Sequence, residues 1–292
     1  MDRRLFYLIL LIFIVFIWGL TFPFMKISLY YISPVVLLAF RFIISSLLLI
    51  PLIKRKKLLF EIKHLKYGLS AGLLLFLAYY FQTVGLKYTT SSQSGLITGL
   101  YVVMLPVISY FYLHIKANRG DILAVILGTL GLLIMSRIDF SGSYLFGDIL
   151  TLICAFFYAM QTAYVFKYSK NLDSGIFTFY QLIVVGILSL LLIAQSPNIS
   201  GLRLPIVIFT IIFTAALAGT FAIYVNTRAL MYVEPTAAGI IYVGEPMFAV
   251  ISSIIILDEI PNIYTIIGGI IIISGMLVES IEKYIQAKRP VQ

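Results

Sequence analysis

The chain has 292 residues, 61% of them hydrophobic and 11% charged, with a mean hydropathy of +1.06 and a formal net charge of +9. A soluble domain is about half apolar and a quarter charged, so the solvent that suits this composition is lipid. A helical span takes roughly 20 apolar residues, and ten of them would leave only short connections, with no room among these residues for a soluble catalytic or signalling domain.

In chain order the apolar stretches predict helices over 5–26, 34–53, 67–87, 93–113 and 121–137, then over 147–167, 174–194, 205–231, 235–257 and 261–282. Their length favours helix, because a barrel strand needs only about ten residues of strict alternation and no interior run alternates. Pro34, Pro205, Pro235 and Pro261 mark helix starts, since proline is tolerated in a first turn and ends what precedes it. The first stretch opens on Arg3 and Arg4 like a secretory signal. No small-x-small cleavage site follows, however, and the run continues through Trp18, Gly19 and Pro23, so it is expected to remain as a span.

The basic residues set an orientation. With a cytoplasmic N-terminus, the inner side holds Arg3, Arg4, Lys54, Arg55, Lys56, Lys57, Lys63, Lys66, Lys116, Arg119, Lys167, Lys170, Lys283, Lys288 and Arg289. The outer side holds only Lys26, Lys87, Arg137 and Arg203. The expectation is a multi-pass cell-membrane protein with both termini cytoplasmic. The net positive charge is therefore read as a topology signal touching the lipid bilayer, not as a nucleic-acid surface. Cys154, the single cysteine, leaves no disulfide or cysteine-based metal site to propose.

The chain repeats itself. A shift of 140 residues sets IWGLTF at Ile17 over FYAMQT at Phe157, pairing Trp18 with Tyr158 and Thr21 with Gln161. It also sets Arg41 over Gln181, Gly99 over Gly239, Pro106 over Pro246 and Gly128 over Gly268. Between these anchors the shift becomes 144, with YFQTVGLKY from Tyr80 over YVNTRALMY from Tyr224, so the second half carries about one helical turn more ahead of Tyr224. An odd number of spans per repeat makes the second repeat enter from the opposite side. The predicted fold is thus an all-α integral membrane protein of ten transmembrane helices in two inverted five-helix repeats, 1–140 and 141–292.

These residues resemble the EamA-type transporters of the drug/metabolite transporter superfamily. The resemblance rests on Trp18-Gly19, Phe40-Arg41, ITGLYVVMLP from Ile97 to Pro106, Glu245-Pro246, Leu257 to Glu259, and the glycines at Gly268, Gly269 and Gly275. It implies a ten-helix fold, a cavity between the halves, and export or exchange of metabolites without cofactors. The chain departs from the family pattern at LHIKANRG, where an acidic L-x-E-R is usual, so a role for an acid there does not carry over.

Polar groups at membrane depth mark a candidate site, because a charge at mid-span costs about 2.5 to 3.5 kcal/mol on insertion scales. Only Arg41 and Glu245 are charged well inside spans. Uncharged groups share helix faces: Tyr79 with Gln82, Thr98 with Tyr101, Tyr158 with Gln161, Thr220 with Tyr224 and Thr227, and Tyr242 with Glu245. The expected cavity is lined by the first, third, fourth, sixth, eighth and ninth helices, through Trp18, Thr21, Tyr79, Gln82, Thr98, Tyr101, Tyr158, Gln161, Tyr224, Asn226, Tyr242 and Glu245. The competing explanation is that polar side chains join helices in lipid; the pairs Gly68 with Gly72 and Gly95 with Gly99 fit such packing.

An enzyme is disfavoured. The chain has no phosphate-binding G-x-x-x-x-G-K-[ST] loop and no H-E-x-x-H pair, and its two histidines, His64 and His114, fall at helix ends. A receptor would call for a longer inner loop than 54–66. The function expected is a secondary transporter, or permease, of small organic metabolites such as amino acids. A nucleotide-sugar or phosphorylated-metabolite exchanger of the same superfamily is the alternative. The sequence leaves the coupling ion, direction and oligomeric state open.

Overall fold

The structure, a computed structural model, describes residues 3–53, 59–114, 119–135, 144–195, 197–232 and 241–288. Among them there is no strand. The helices are α1 (Arg3–Ser28), α2 (Pro34–Leu49), α3 (Ile62–Tyr88), α4 (Ser91–Leu113), α5 (Arg119–Met135), α6 (Leu145–Tyr168), α7 (Ser174–Leu192), α8 (Pro205–Ala229), α9 (Gly244–Leu257) and α10 (Ile263–Lys288). Lipid offers backbone groups no hydrogen bonds, so helices, which satisfy them internally, are the structure this composition selects.

Seven of the helices are long and apolar enough to cross a membrane: α1 to α4 and α6 to α8. Two shorter apolar stretches, Gly244–Leu257 and Ile263–Val278, accompany them. The 14 residues of α9 rise about 21 Å, less than the ~30 Å hydrocarbon thickness. The expected span 235–257 begins in residues outside the described ones, as do Pro235, Lys116, Arg137 and the basic run 54–57. Pro34 and Pro205 do occupy first turns, whereas α10 starts past Pro261, at Ile263.

The outer surface is largely apolar, and the hydrophobic interior also encloses polar groups. Ile9, Ile12, Phe13 and Phe16 of α1 face outward, while Arg41, Gln82, Thr98, Gln181 and Glu245 are buried. Cys154 is fully buried. Helix α6 packs on α3 and α4, α1 on α8 and α9, and α7 on α2 and α3; α2 also meets α8, α4 meets α9, and α5 meets α10. Small residues allow the closest approaches. A Cβ at Gly19 would lie 2.5 Å from Phe248 Cβ, and one at Gly95 would collide with Ala249 Cβ, so α1 and α4 both close on α9 at the same place. Gly68 and Gly72 likewise seat α3 on Tyr180 and Val184 of α7.

The middle of α8, Thr214–Phe221, is π-helical. A π turn shifts hydrogen bonds by one residue and leaves carbonyls for other donors. Here Ser45 Oγ donates to Ala215 O at 2.8 Å, Thr220 Oγ1 to Ala215 O at 3.1 Å, and Trp18 Nε1 to Ala218 O at 3.1 Å.

Candidate functional site

A cavity of about 60 Å³ lies among the helices, lined by Trp18, Thr21 and Phe22 of α1, Arg41 of α2, and Leu75, Tyr79 and Gln82 of α3. Thr98 and Tyr101 of α4, Tyr158, Gln161 and Thr162 of α6, and Ile223 and Asn226 of α8 continue the wall. Tyr242, just ahead of α9, and Glu245 in its first turn complete it. The polar faces expected from helical spacing thus meet in one space, except the Thr220, Tyr224 and Thr227 face of α8, none of which lines it. Tyr224 is elsewhere: it lines a second cavity with Arg228 and Met231. The α8 residues that line the central cavity are Ile223 and Asn226. Arg41, noticed in the sequence as a charge inside a span but not assigned to the site, is part of its wall.

The amides and hydroxyls are linked. Tyr158 donates its hydroxyl proton to Gln82 Oε1 at 3.2 Å, and Gln82 Nε2 donates to Thr98 Oγ1 at 3.3 Å. Gln161 Nε2 donates to Gln181 Oε1 at 2.7 Å, and Tyr242 donates to Asn226 Oδ1. These bonds fix rotamers at a depth where an unmet polar group would be costly. The aromatic rings run in a chain: Tyr79 to Tyr158 at 5.3 Å between centroids, Tyr158 to Tyr101 at 6.1 Å, Tyr101 to Tyr242 at 6.2 Å, and Tyr242 to Trp18 at 6.5 Å. The wall therefore offers flat apolar faces, amides that donate and accept, and one side chain of each charge. That is equipment for holding a small organic molecule. Among the described residues no group of three His, Cys, Asp or Glu gathers to hold a metal ion.

The two ends of the bundle differ. At one end the α3–α4 turn is tied down from three directions. Lys26 Nζ donates to the carbonyls of Leu86, Lys87 and Thr89 at 2.8, 3.2 and 2.6 Å, meeting the unpaired acceptors at the end of α3. Glu259, between α9 and α10, accepts from Ser91 N and Ser92 N at 2.7 and 2.9 Å and from Ser92 Oγ at 2.7 Å, while Thr90 accepts from Gln93 N. Side chains thereby satisfy the first free N–H groups of α4. Asp148 of α6 accepts from Thr89 Oγ1 and Gln93 Nε2, both at 2.6 Å. At the other end a cavity of about 540 Å³ is lined by Lys63, His64, Lys170, Asp173, Tyr224 and Arg228, among others. There Asp173 caps α7, and its backbone N–H donates to His64 Nε2 at 3.0 Å.

This arrangement of helices around a central polar cavity has relatives. The EamA-like transporter family profile matches residues 5–137 and again 145–281. A protein of Archaeoglobus fulgidus named only as an uncharacterized transporter is 32% identical over 268 residues, covering 91% of this chain and 82% of its own length. A second from the same organism, also named an uncharacterized transporter, is 28% identical over 282 residues, covering 92% and 95%. The uncharacterized transporter YoaV of Bacillus subtilis is 24% identical over 90% of this chain and 93% of its own. A crystal structure of another protein superposes with a TM-score of 0.70 at 14% identity, covering 96% of this chain and 98% of that one, a likeness of fold alone. With a profile that matches twice and a relative above 30% identity along most of both chains, the chain belongs to the EamA-like transporter family and is a membrane transporter.

Proposed function

We propose that the chain is a secondary transporter that moves small organic metabolites, amino acids among them, by exposing the central cavity alternately to the two membrane faces. The observation that carries this reading is the convergence of aromatic, amide and charged side chains from both halves of the sequence on one buried space. The substrate cavity in this proposal comprises the residues named from the sequence, with Arg41 replacing Tyr224.

Two repeats, 1–140 and 141–292, inverted across the membrane with both termini cytoplasmic, supply the means of alternation. The helix contacts support this pairing. If α1 is exchanged with α6, α2 with α7, α3 with α8, α4 with α9 and α5 with α10, then α2–α7, α4–α9 and α5–α10 map onto themselves. The contact α3–α6 becomes α8–α1, α4–α6 becomes α9–α1, and α3–α7 becomes α8–α2, each of which is made. A fold whose halves trade places in this way has a second arrangement of similar energy. In this reading the Thr89 end is the outer gate, tied shut by Lys26, Asp148 and Glu259, and the His64 end faces the cytoplasm. A cavity of about 60 Å³ has room for a few waters and falls well below the roughly 300–1,000 Å³ of ordinary ligand sites. Cargo enters only when a gate opens and the walls part.

Counterflow into proteoliposomes preloaded with amino acids and other metabolites tests the proposal. At least one solute should exchange, and Trp18→Ala or Tyr158→Ala should slow it by about tenfold, the loss of roughly 1.4 kcal/mol of binding, while the protein remains folded. Wild-type exchange by both variants would return these aromatics to a packing role.

A further inference from the structure

Arg41 is a cation that the protein leaves incompletely met. It stands midway along α2, is 1% exposed, and lines the cavity. A guanidinium carries a fixed positive charge and five N–H donors arranged as a planar fork. Nη1 donates to Met25 Sδ at 3.2 Å, and a thioether is a weak acceptor. Nε is buried with no acceptor. The flat face of the group is well held, with its central carbon 4.9 Å from the Phe42 ring centroid and 4.8 Å from that of Tyr79. Among the described residues no carboxylate lies within salt-bridge distance of it. Two half-buried cations find oxygen acceptors that Arg41 lacks: Lys26, in the last turn of α1, donates to three carbonyls, and Arg228 donates to the Tyr224 hydroxyl although its Nε is also without a partner. The rings therefore orient a donor edge for which the chain provides little.

We infer that Arg41 is the receptor for an anionic group on the cargo, and that the class carried is small organic carboxylates with an apolar body. The inference rests on the transporter reading above and names its substrate chemistry. A planar fork matches a carboxylate through two parallel N–H···O bonds. The aromatic chain leading from Tyr79 through Tyr158 and Tyr101 then receives the rest of the molecule.

Trp18 is the single tryptophan and lines the cavity, so intrinsic fluorescence of the full-length protein in lipid vesicles reports occupancy. Three probes share one ring and differ in the end group: 3-phenylpropionate, its neutral amide 3-phenylpropionamide, and phenethylamine. In the wild type, 3-phenylpropionate should titrate saturably and bind about tenfold or more tightly than the amide, as loss of a charge-assisted bidentate bond requires. Arg41→Gln should abolish that preference and bind phenethylamine, which the guanidinium repels, at least as tightly as the wild type, and Arg41→Lys, which keeps the charge without the fork, should fall between. Equal wild-type binding of acid and amide, a comparison independent of any variant's folding, would overturn the inference; so would acid binding unchanged in Arg41→Gln. If no probe binds and no solute shows counterflow, the transporter reading itself fails. Counterflow confined to solutes lacking an anionic group overturns the Arg41 assignment alone.

Discussion

Glu245 stands in the first turn of α9, 7% exposed, with Pro246 directly after it. Proline removes a backbone donor and frees the carbonyl one turn earlier, which gives a protonated carboxyl a structural use. The cavity wall gives it another, as the site for a proton or a cationic substrate group. Glu245→Gln preserves shape and hydrogen bonding and deletes the charge, so it separates the two. We expect it to fold and to slow counterflow by about tenfold or more, on the scale of a lost charge-assisted bond, with a flattened pH profile; wild-type rate and pH profile would leave Glu245 a structural residue. Most of the cavity was legible in the sequence because polar groups at membrane depth are rare, and helical spacing sorts them into faces. Tyr224 is assigned to the central cavity by its spacing, whereas the α8 residues that line it are Ile223 and Asn226 and Tyr224 lines the second cavity. Arg41 carried a visible signal, its charge in a span, but its orientation depends on Phe42, Tyr79 and Met25, which only the packed fold brings together.

At the scale of elements, the termini of α3 and α4 form the hinge point of the Thr89 end. Glu259 reaches them from the other half of the chain, and in the proposed alternation its bonds to Ser91 and Ser92 hold only while that end is shut. Glu259→Gln weakens these bonds without removing the side chain. A charge-assisted hydrogen bond contributes about 1.5–3 kcal/mol, so the equilibrium should move toward the state open at that end by about tenfold or more. Collisional quenching of Trp18 by iodide added from that side should rise accordingly, and unchanged quenching would show that Glu259 is a helix cap and no gate. Helix starts at Pro34 and Pro205 could be read from sequence because the ring suits a first turn. The early start of α3 at Ile62, ahead of the expected 67, could not: Lys63, His64 and Lys66 are too polar for a hydropathy criterion, although their backbone is helical. The repeat offset grows by four residues between Gln181 and Tyr224, and α7 has 19 residues where α2 has 16. The sequence announced extra length there but gave no sign of the π segment in α8, a helix no longer than its repeat mate α3.

At the scale of the whole molecule, the membrane protein was legible from composition, since outward Ile and Phe and inward polar groups are the reverse of a soluble core. Seven helices meet the length and hydropathy of a span on their own, and two shorter apolar stretches accompany them. The central claim is that a cavity shared by two inverted repeats opens to each side in turn. Its most direct test is cysteine labelling in oriented proteoliposomes with the buried native thiol removed by Cys154→Ala. In that background, Lys57→Cys, Asn262→Cys and Gln161→Cys are each exposed to a small membrane-impermeant maleimide from one side at a time. The account predicts that Lys57→Cys reacts only from the cytoplasmic side, Asn262→Cys only from outside, and Gln161→Cys, in the cavity wall, from both. Labelling of Lys57→Cys and Asn262→Cys from the same side, or of Gln161→Cys from one side only, would contradict it.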